Sequence, residues 1–246
     1  PYLHPGKNLI AVKVLKKYIK DKDIENPDKI INIAASVEVT QKMLKDLPHG
    51  FFDDDPAGIW QPVSLIITNP LHIQNVYIKP DSTGAQFEVT VQNSGSEARK
   101  FSLATLIAPA SGKGAIFNGT NLKNIQLDGG VSQTYKFKIN GLHPKLWSPQ
   151  HPNLYNFDFT LINEGGGNID KKTVRSGFKS FVIKNGFFYL NGHPYWLRGG
   201  NQTAMPLAPN DTVLAEKFSQ LMHKGNMSVT RTHTTPYTET WMDASD

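Results

Sequence analysis

The 246-residue chain contains no cysteine, which excludes disulfides, a thiolate nucleophile and cysteine-ligated zinc. No apolar run approaches the roughly 18 residues that a membrane-spanning helix requires. No signal peptide is expected in the first residues, which read PYLHPGKNLIAVKV, a turn followed by a strand, without the charged and apolar regions of a leader. The ordered pattern is therefore expected to begin within a domain. The compartment stays open, with periplasm, secretion and cytoplasm all compatible. The net charge of +5 and pI near 9.2 make the distribution of charge matter more than its sum. In the densest stretch, KVLKKYIKDKDIENPDK, Lys13, Lys16, Lys17, Lys20, Lys22 and Lys29 are interleaved with Asp21, Asp23, Glu25 and Asp28. Such mixing describes a solvated connection, and without aromatic stacking residues or a recognition helix it argues against nucleic acid as a partner. Asn-x-Ser/Thr triplets at Asn118, Asn201, Asn210 and Asn226 are too common at this length to argue for glycosylation.

What the chain does have is a hydrophobic fraction of 39% and 10% aromatic residues, spread along its length as in folded globular proteins. Up to about residue 180 the apolar period is two. Strands are expected at 9–14, 30–33, 36–39, 63–67, 74–78, 87–91, 101–106, 135–139 and 155–162, separated by Gly- and Asn-rich turns, the pattern of β-sandwiches. Asn69-Pro70 marks a joint, because proline cannot donate to a central ladder. The series that follows, to about Arg175, has the length of one immunoglobulin-like sandwich. Near its end, in LHPKLWSPQHPNLY, Trp147 sits among three prolines. It fits an aromatic plug at the sandwich edge better than a sugar-stacking platform.

After Gly177 the period changes. Asn185-Gly186 and Asn191-Gly192 bracket a short strand at 187–190 as hairpin turns, and Tyr195-Trp196-Leu197 reads as a buried strand. A helix is expected next, capped by Asn210 or Asp211, striped by Leu214, Phe218, Leu221 and Met222, and ended by Lys224-Gly225. A strand at 228–232 and a helix beginning at Thr238 or Glu239 complete a parallel βα pattern. Val229, Arg231 and His233 share one face of that strand. An arginine and a histidine beside a valine suggest a strand running from a core into a polar site.

Three strings, DDDPAGIWQPVSL, LWSPQHPNLY and GHPYWLRGGN, together resemble glycoside hydrolase family 2, the β-galactosidases, β-mannosidases and β-glucuronidases. The resemblance implies a mainly β chain in three parts. These are the end of a jelly-roll sugar-binding domain at 1–68, an immunoglobulin-like β-sandwich at 69–177 and the first βα units of a (β/α)8 TIM-barrel catalytic domain at 178–246. It implies a fragment of a retaining exo-β-glycosidase that hydrolyses terminal β-linked sugars, with a carbohydrate as partner, no cofactor and no membrane span.

Retaining hydrolysis needs two carboxyl groups roughly 5 to 5.5 Å apart, and the family places these glutamates after later barrel strands. Asp211, Glu216, Glu239, Asp243 and Asp246 are explained by helix capping and solvation, so no catalytic residue is assigned and the fragment alone is expected to be inactive. The substrate-binding candidates are Arg231, His233, Asn201 and Asp53. Arg231 matches the family arginine that positions the nucleophile, against a plainer role as polar filler. His233 lies one place before the family's histidine position, which Thr234 occupies. In the first-strand motif Gln202 and Thr203 stand where many relatives carry a sugar-contacting histidine. Asn201 fits a hydroxyl contact or a turn equally well. Asp53 has the offset to Gly58 of a sugar-contacting aspartate, although Asp53 to Asp55 also fit a solvated loop or a weak calcium site. A noncatalytic carbohydrate-binding or adhesion module is the competing reading, and the βα segment is what separates the two.

Overall fold

The computed structural model describes residues 6–12, 63–202, 208–232 and 237–246. Among them, seven antiparallel strands build a sandwich: β1 (Leu71–Pro80), β2 (Ala85–Asn93), β3 (Arg99–Pro109), β4 (Phe117–Leu127), β5 (Ser132–Ile139), β6 (Tyr155–Ile162) and β7 (Asn168–Ser176). One sheet has the order β1-β2-β5 and the facing sheet β4-β3-β6-β7. Alternation specifies which face of each strand turns inward. Phe87, Val89 and Val91 of β2 are buried against Phe101, Leu103 and Ile107 of β3 and Phe157, Phe159 and Leu161 of β6. Phe87 bridges the sheets, with ring centroids 5.6 Å from Phe159 and 6.0 Å from Phe157. Each fully buried side chain of this size contributes about 1.5–3 kcal/mol, so this aromatic layer dominates the sandwich. Phe178, just beyond β7, closes one end of it against Tyr155 and Phe157.

A register shift interrupts β1 between Ile73 and Asn75. There the Ile73 amide donates to Asp170 Oδ2 of β7 at 2.7 Å, and Lys172 Nζ donates to the Gln74 carbonyl at 2.9 Å. The bulge thus stitches one edge of each sheet together, leaving fewer unpaired edge groups.

Two expected strands are not formed among the described residues. Residues 9–12 and 63–67 pair with no described strand, and Leu9 and Ile67 are 94% and 84% exposed. Apolar alternation makes a strand only where a partner supplies the ladder. The expected strands at 30–33 and 36–39 lie outside the described residues. Conversely, β4 and β7 were not read from the sequence, because NGTNLKNIQ and NIDKKTVRS carry few apolar residues on their alternate positions.

Beyond the sandwich, β8 (Phe181–Lys184), β9 (Phe187–Leu190) and β10 (His193–Pro194) form a three-stranded antiparallel sheet. Its two turns are the expected ones. Asn185 and Gly186 have φ of 50° and 79°, and Asn191 and Gly192 have 52° and 84°, the left-handed pairs that the tight hairpin turn demands. Next come β11 (Gly199–Gln202), α1 (Thr212–Lys224), β12 (Val229–Thr232) and α2 (Glu239–Ser245). The strand expected at 195–197 starts later, as β11, and Trp196 is 78% exposed. Among the described residues no layer covers it, so its apolar character confers no burial.

The caps of α1 follow the sequence closely. Asp211 Oδ1 accepts the Leu214 amide at 2.9 Å. At the other end Gly225 is the cap residue, but the left-handed turn falls on Asn226, with φ of 53°. The Asn226 amide donates to His223 and that of Met227 to Met222, the paired bonds that close a helix with a left-handed residue just past its end. Trp241 of α2 and Ala215 of α1 are buried together, Phe218 packing edge-on to Trp241 at 5.7 Å. Leu221, expected on the buried stripe, is 57% exposed, since α2 covers only the Ala215 side.

Candidate functional site

β11 and β12 pair in parallel, with Gly199 opposite Val229, Gly200 opposite Thr230, Asn201 opposite Arg231 and Gln202 opposite Thr232. The first glycine of LRGGN has a steric reason: a Cβ on Gly199 would collide with the Val229 carbonyl. The register is pinned at its start by the Ser228 amide, which donates to the Arg198 carbonyl at 2.8 Å. It places the candidates Asn201 and Arg231 side by side toward the carboxyl ends of both strands. Arg231 Nη1 donates to Asn201 Oδ1 at 3.1 Å. Among the described residues this is the one hydrogen bond of the guanidinium, whose fork has a geometry suited to carboxylate or to sugar hydroxyls.

The expected strand from core to polar site takes a different form. Val229 is 39% exposed, Arg231 is exposed as well, and the half-buried position of β12 is Thr230. Among the described residues β11 is the one strand paired with β12. His233 and Asp53, the other two candidates, lie outside the described residues.

A cavity of about 470 Å³ lies between the sandwich and the βα segment. Trp147, Pro149 and Pro152 line one side, α1 and α2 the other, and Val229 and Thr230 its floor. It meets the amino-terminal half of β12, so it is distinct from the Asn201–Arg231 pair. Tyr237 lines it too; burial pushes its phenol above the usual range, partly offset by a hydrogen bond with Thr230.

Trp147 serves as a fastener at this junction. Its amide donates to the Phe178 carbonyl at 2.7 Å, its carbonyl accepts Asn191 Nδ2 at 2.9 Å and its indole Nε1 donates to the Asp246 carbonyl at 3.1 Å. Lys179 Nζ sits 4.4 Å from the ring centroid, an attractive cation–π position. These contacts favour the plug over the sugar platform. Arg175 of β7 adds ion pairs with Asp243 at 2.7 Å and Asp246 at 3.1 Å. Sequence reasoning missed Arg175 as a tie between sandwich and helix, since nothing local in NIDKKTVRS signals a partner 68 residues away.

The antiparallel sandwich is the part of this chain with a family counterpart. Residues 71–179 match the model of the family described as Glycosyl hydrolases family 2. A beta-galactosidase of Thermoanaerobacter pseudethanolicus is 29% identical over 247 residues, covering 94% of this chain and 31% of that protein. Another, of Alteromonas mediterranea, is 29% identical over 198 residues, 77% of this chain and 19% of that protein. Among solved structures, a family 2 member from Bacteroides cellulosilyticus superposes with a TM-score of 0.63 at 20% identity, over 72% of this chain and 25% of that one. The Bacteroides uniformis beta-glucuronidase gives 0.58 at 23%, over 71% and 22%. At these identities the structural matches speak for the fold alone. The family resemblance read from the three strings is borne out, carried by the sandwich at 71–179, which matches the model of glycosyl hydrolase family 2. The chain spans about a fifth to a third of the length of the curated relatives named here.

Proposed function

We propose that this chain is the part of a retaining exo-β-glycosidase that joins its sandwich to the opening of its catalytic barrel, and that it contributes one rim of the sugar site. The observation that carries the reading is the Asn201–Arg231 hydrogen bond across two parallel strands, at the strand ends where such barrels hold their chemistry. In this reading Arg231 orients the nucleophilic carboxylate and holds its pKa down, because a guanidinium keeps its charge at every working pH. Asn201 fixes the guanidinium in turn and offers its remaining polar atoms to a hydroxyl. The two carboxyl groups of the double displacement come from outside this segment. β-Galactosides are the first substrates to try, being what the named relatives are called after.

Two measurements test the proposal. The 246-residue chain alone is expected to hydrolyse no aryl β-galactoside; turnover that a substitution in the chain abolishes would overturn the division of labour. In a chimaera that joins this segment to the rest of a family 2 barrel, Arg231→Ala should lower kcat/KM by a factor of about 10² to 10³, the scale of a lost preorganised electrostatic contact. Arg231→Lys should restore little of it, since an ammonium cannot reproduce the fork. A kinetically silent Arg231→Ala, with sugar binding retained by the sandwich, would favour the noncatalytic carbohydrate-binding module instead.

A further inference from the structure

The chain contains four Asn-Gly pairs, at Asn118, Asn140, Asn185 and Asn191, and the fold puts them in four different chemical situations. An asparagine followed by glycine can lose its side-chain amide when the glycine backbone nitrogen attacks the side-chain carbonyl carbon. A ring N–Cγ bond forms, the Cγ–Nδ2 bond breaks and ammonia leaves with the amide proton. Water then opens the succinimide at either carbonyl, leaving aspartate or isoaspartate; no electron transfer is involved. Reaction needs a side chain free to turn, an unengaged glycine amide and a backbone able to bring the two together.

Asn191 fails on the first count. Its Nδ2 donates to the Trp147 carbonyl at 2.9 Å and its Oδ1 accepts the Ser180 amide at 3.0 Å. Asn118 and Gly119 lie in β4, paired with Leu106 and Thr105 of β3, so a stretch of sheet must open before ring closure. Asn185 is exposed, yet it is held at a φ of 50° in a two-residue turn clamped by the Lys184–Phe187 pair. Asn140 and Gly141 stand apart. Both are exposed and follow the end of β5, and neither the Asn140 side chain nor the Gly141 amide makes a hydrogen bond among the described residues.

We propose that Asn140–Gly141 is the deamidation site of this protein, an ageing mark that the fold directs to one of four equivalent sequences. The location has a structural consequence. Gly84 packs directly on the Ile139 carbonyl and the Asn140 Cα, where β5 ends against Ala85 of β2. Isoaspartate would insert an extra backbone methylene at that corner and add a negative charge.

The test is to incubate the folded chain at mildly alkaline pH and follow the four peptides by mass spectrometry, with an isoaspartyl methyl-transfer assay for the isomer. Asn140 should convert first, and Asn191 at least about tenfold more slowly, because its hydrogen bonds must break before the ring can close. In denaturant the four rates should converge, which separates an effect of the fold from one of local sequence. Asn140→Gln should remove the early isoaspartate signal while leaving the thermal midpoint unchanged. Conversion led by Asn185 or Asn191, or an order that persists in denaturant, would overturn the proposal.

Discussion

The sandwich and the βα segment after it are made from similar residues and packed very differently. In the sandwich both sheets present an apolar face and cover each other, so Phe87, Val89, Leu103, Phe157 and Phe159 lose nearly all contact with solvent. In the βα segment, among the described residues, a two-stranded sheet and two helices bury Ala215 and Trp241 as a cluster, while Val213, Leu221, Val229 and Met242 remain exposed. Apolar pattern alone does not make a core. A facing layer does, and its extent sets how much each residue contributes.

The largest expected effect breaks the comparison at its centre. Phe157→Ala removes a fully buried ring that touches Phe87 and Phe178, and should cost about 3–5 kcal/mol of sandwich stability, read from denaturant unfolding. Trp241→Ala, in contrast, should abolish hydrogen-exchange protection in α1 and α2 and leave the sandwich amides as they were. If Trp241→Ala lowered sandwich protection equally, the two regions would be one cooperative unit, held through Arg175 and Trp147.

A smaller effect probes the segment from within. Asp211→Ala deletes the side chain that caps α1 and should cost about 1 kcal/mol, visible as faster amide exchange in the first turn of α1 alone. Loss of protection in β6 on the same substitution would contradict the separation drawn here.

The smallest concerns pH and the sandwich surface. Burial works to raise the Asp158 carboxyl, but hydrogen bonds from Lys171 and Thr173, with the Lys171 charge, leave it below the usual carboxylate range. A carboxyl lowered by folding stabilises above its unfolded pKa and loses that contribution as pH falls through its folded pKa. Sandwich stability should therefore decline below the ordinary aspartate range, and Asp158→Asn should flatten part of that slope. An unchanged slope would show that the pair contributes nothing measurable, as many exposed ion pairs do.

Much of this arrangement is legible in the chain itself, where a local rule is strong. The hairpin around β9, the Asp211 cap, and the strands β2, β3 and β6 follow from short-range chemistry: left-handed Asn-Gly turns, a side-chain acceptor before a helix, and strict alternation. Asn201, expected beyond a strand at 195–197, lies within β11 instead, and Arg231 alone could be placed on its strand by the same reasoning. Their mutual hydrogen bond could not, because it depends on the parallel register set by Ser228 and Arg198.

Other features carry no local signal at all. β4 and β7 are strands because a neighbour offers them a ladder, while 63–67, more apolar than either, has no such neighbour among the described residues. Leu221 and Trp196 are exposed because no described layer lies over them. Local sequence determines backbone conformation and which side chains share a face, since these depend on sterics within a few residues. Tertiary structure decides which face is covered, which strands pair and which of four Asn-Gly pairs is held, since each of these requires groups brought from far along the chain.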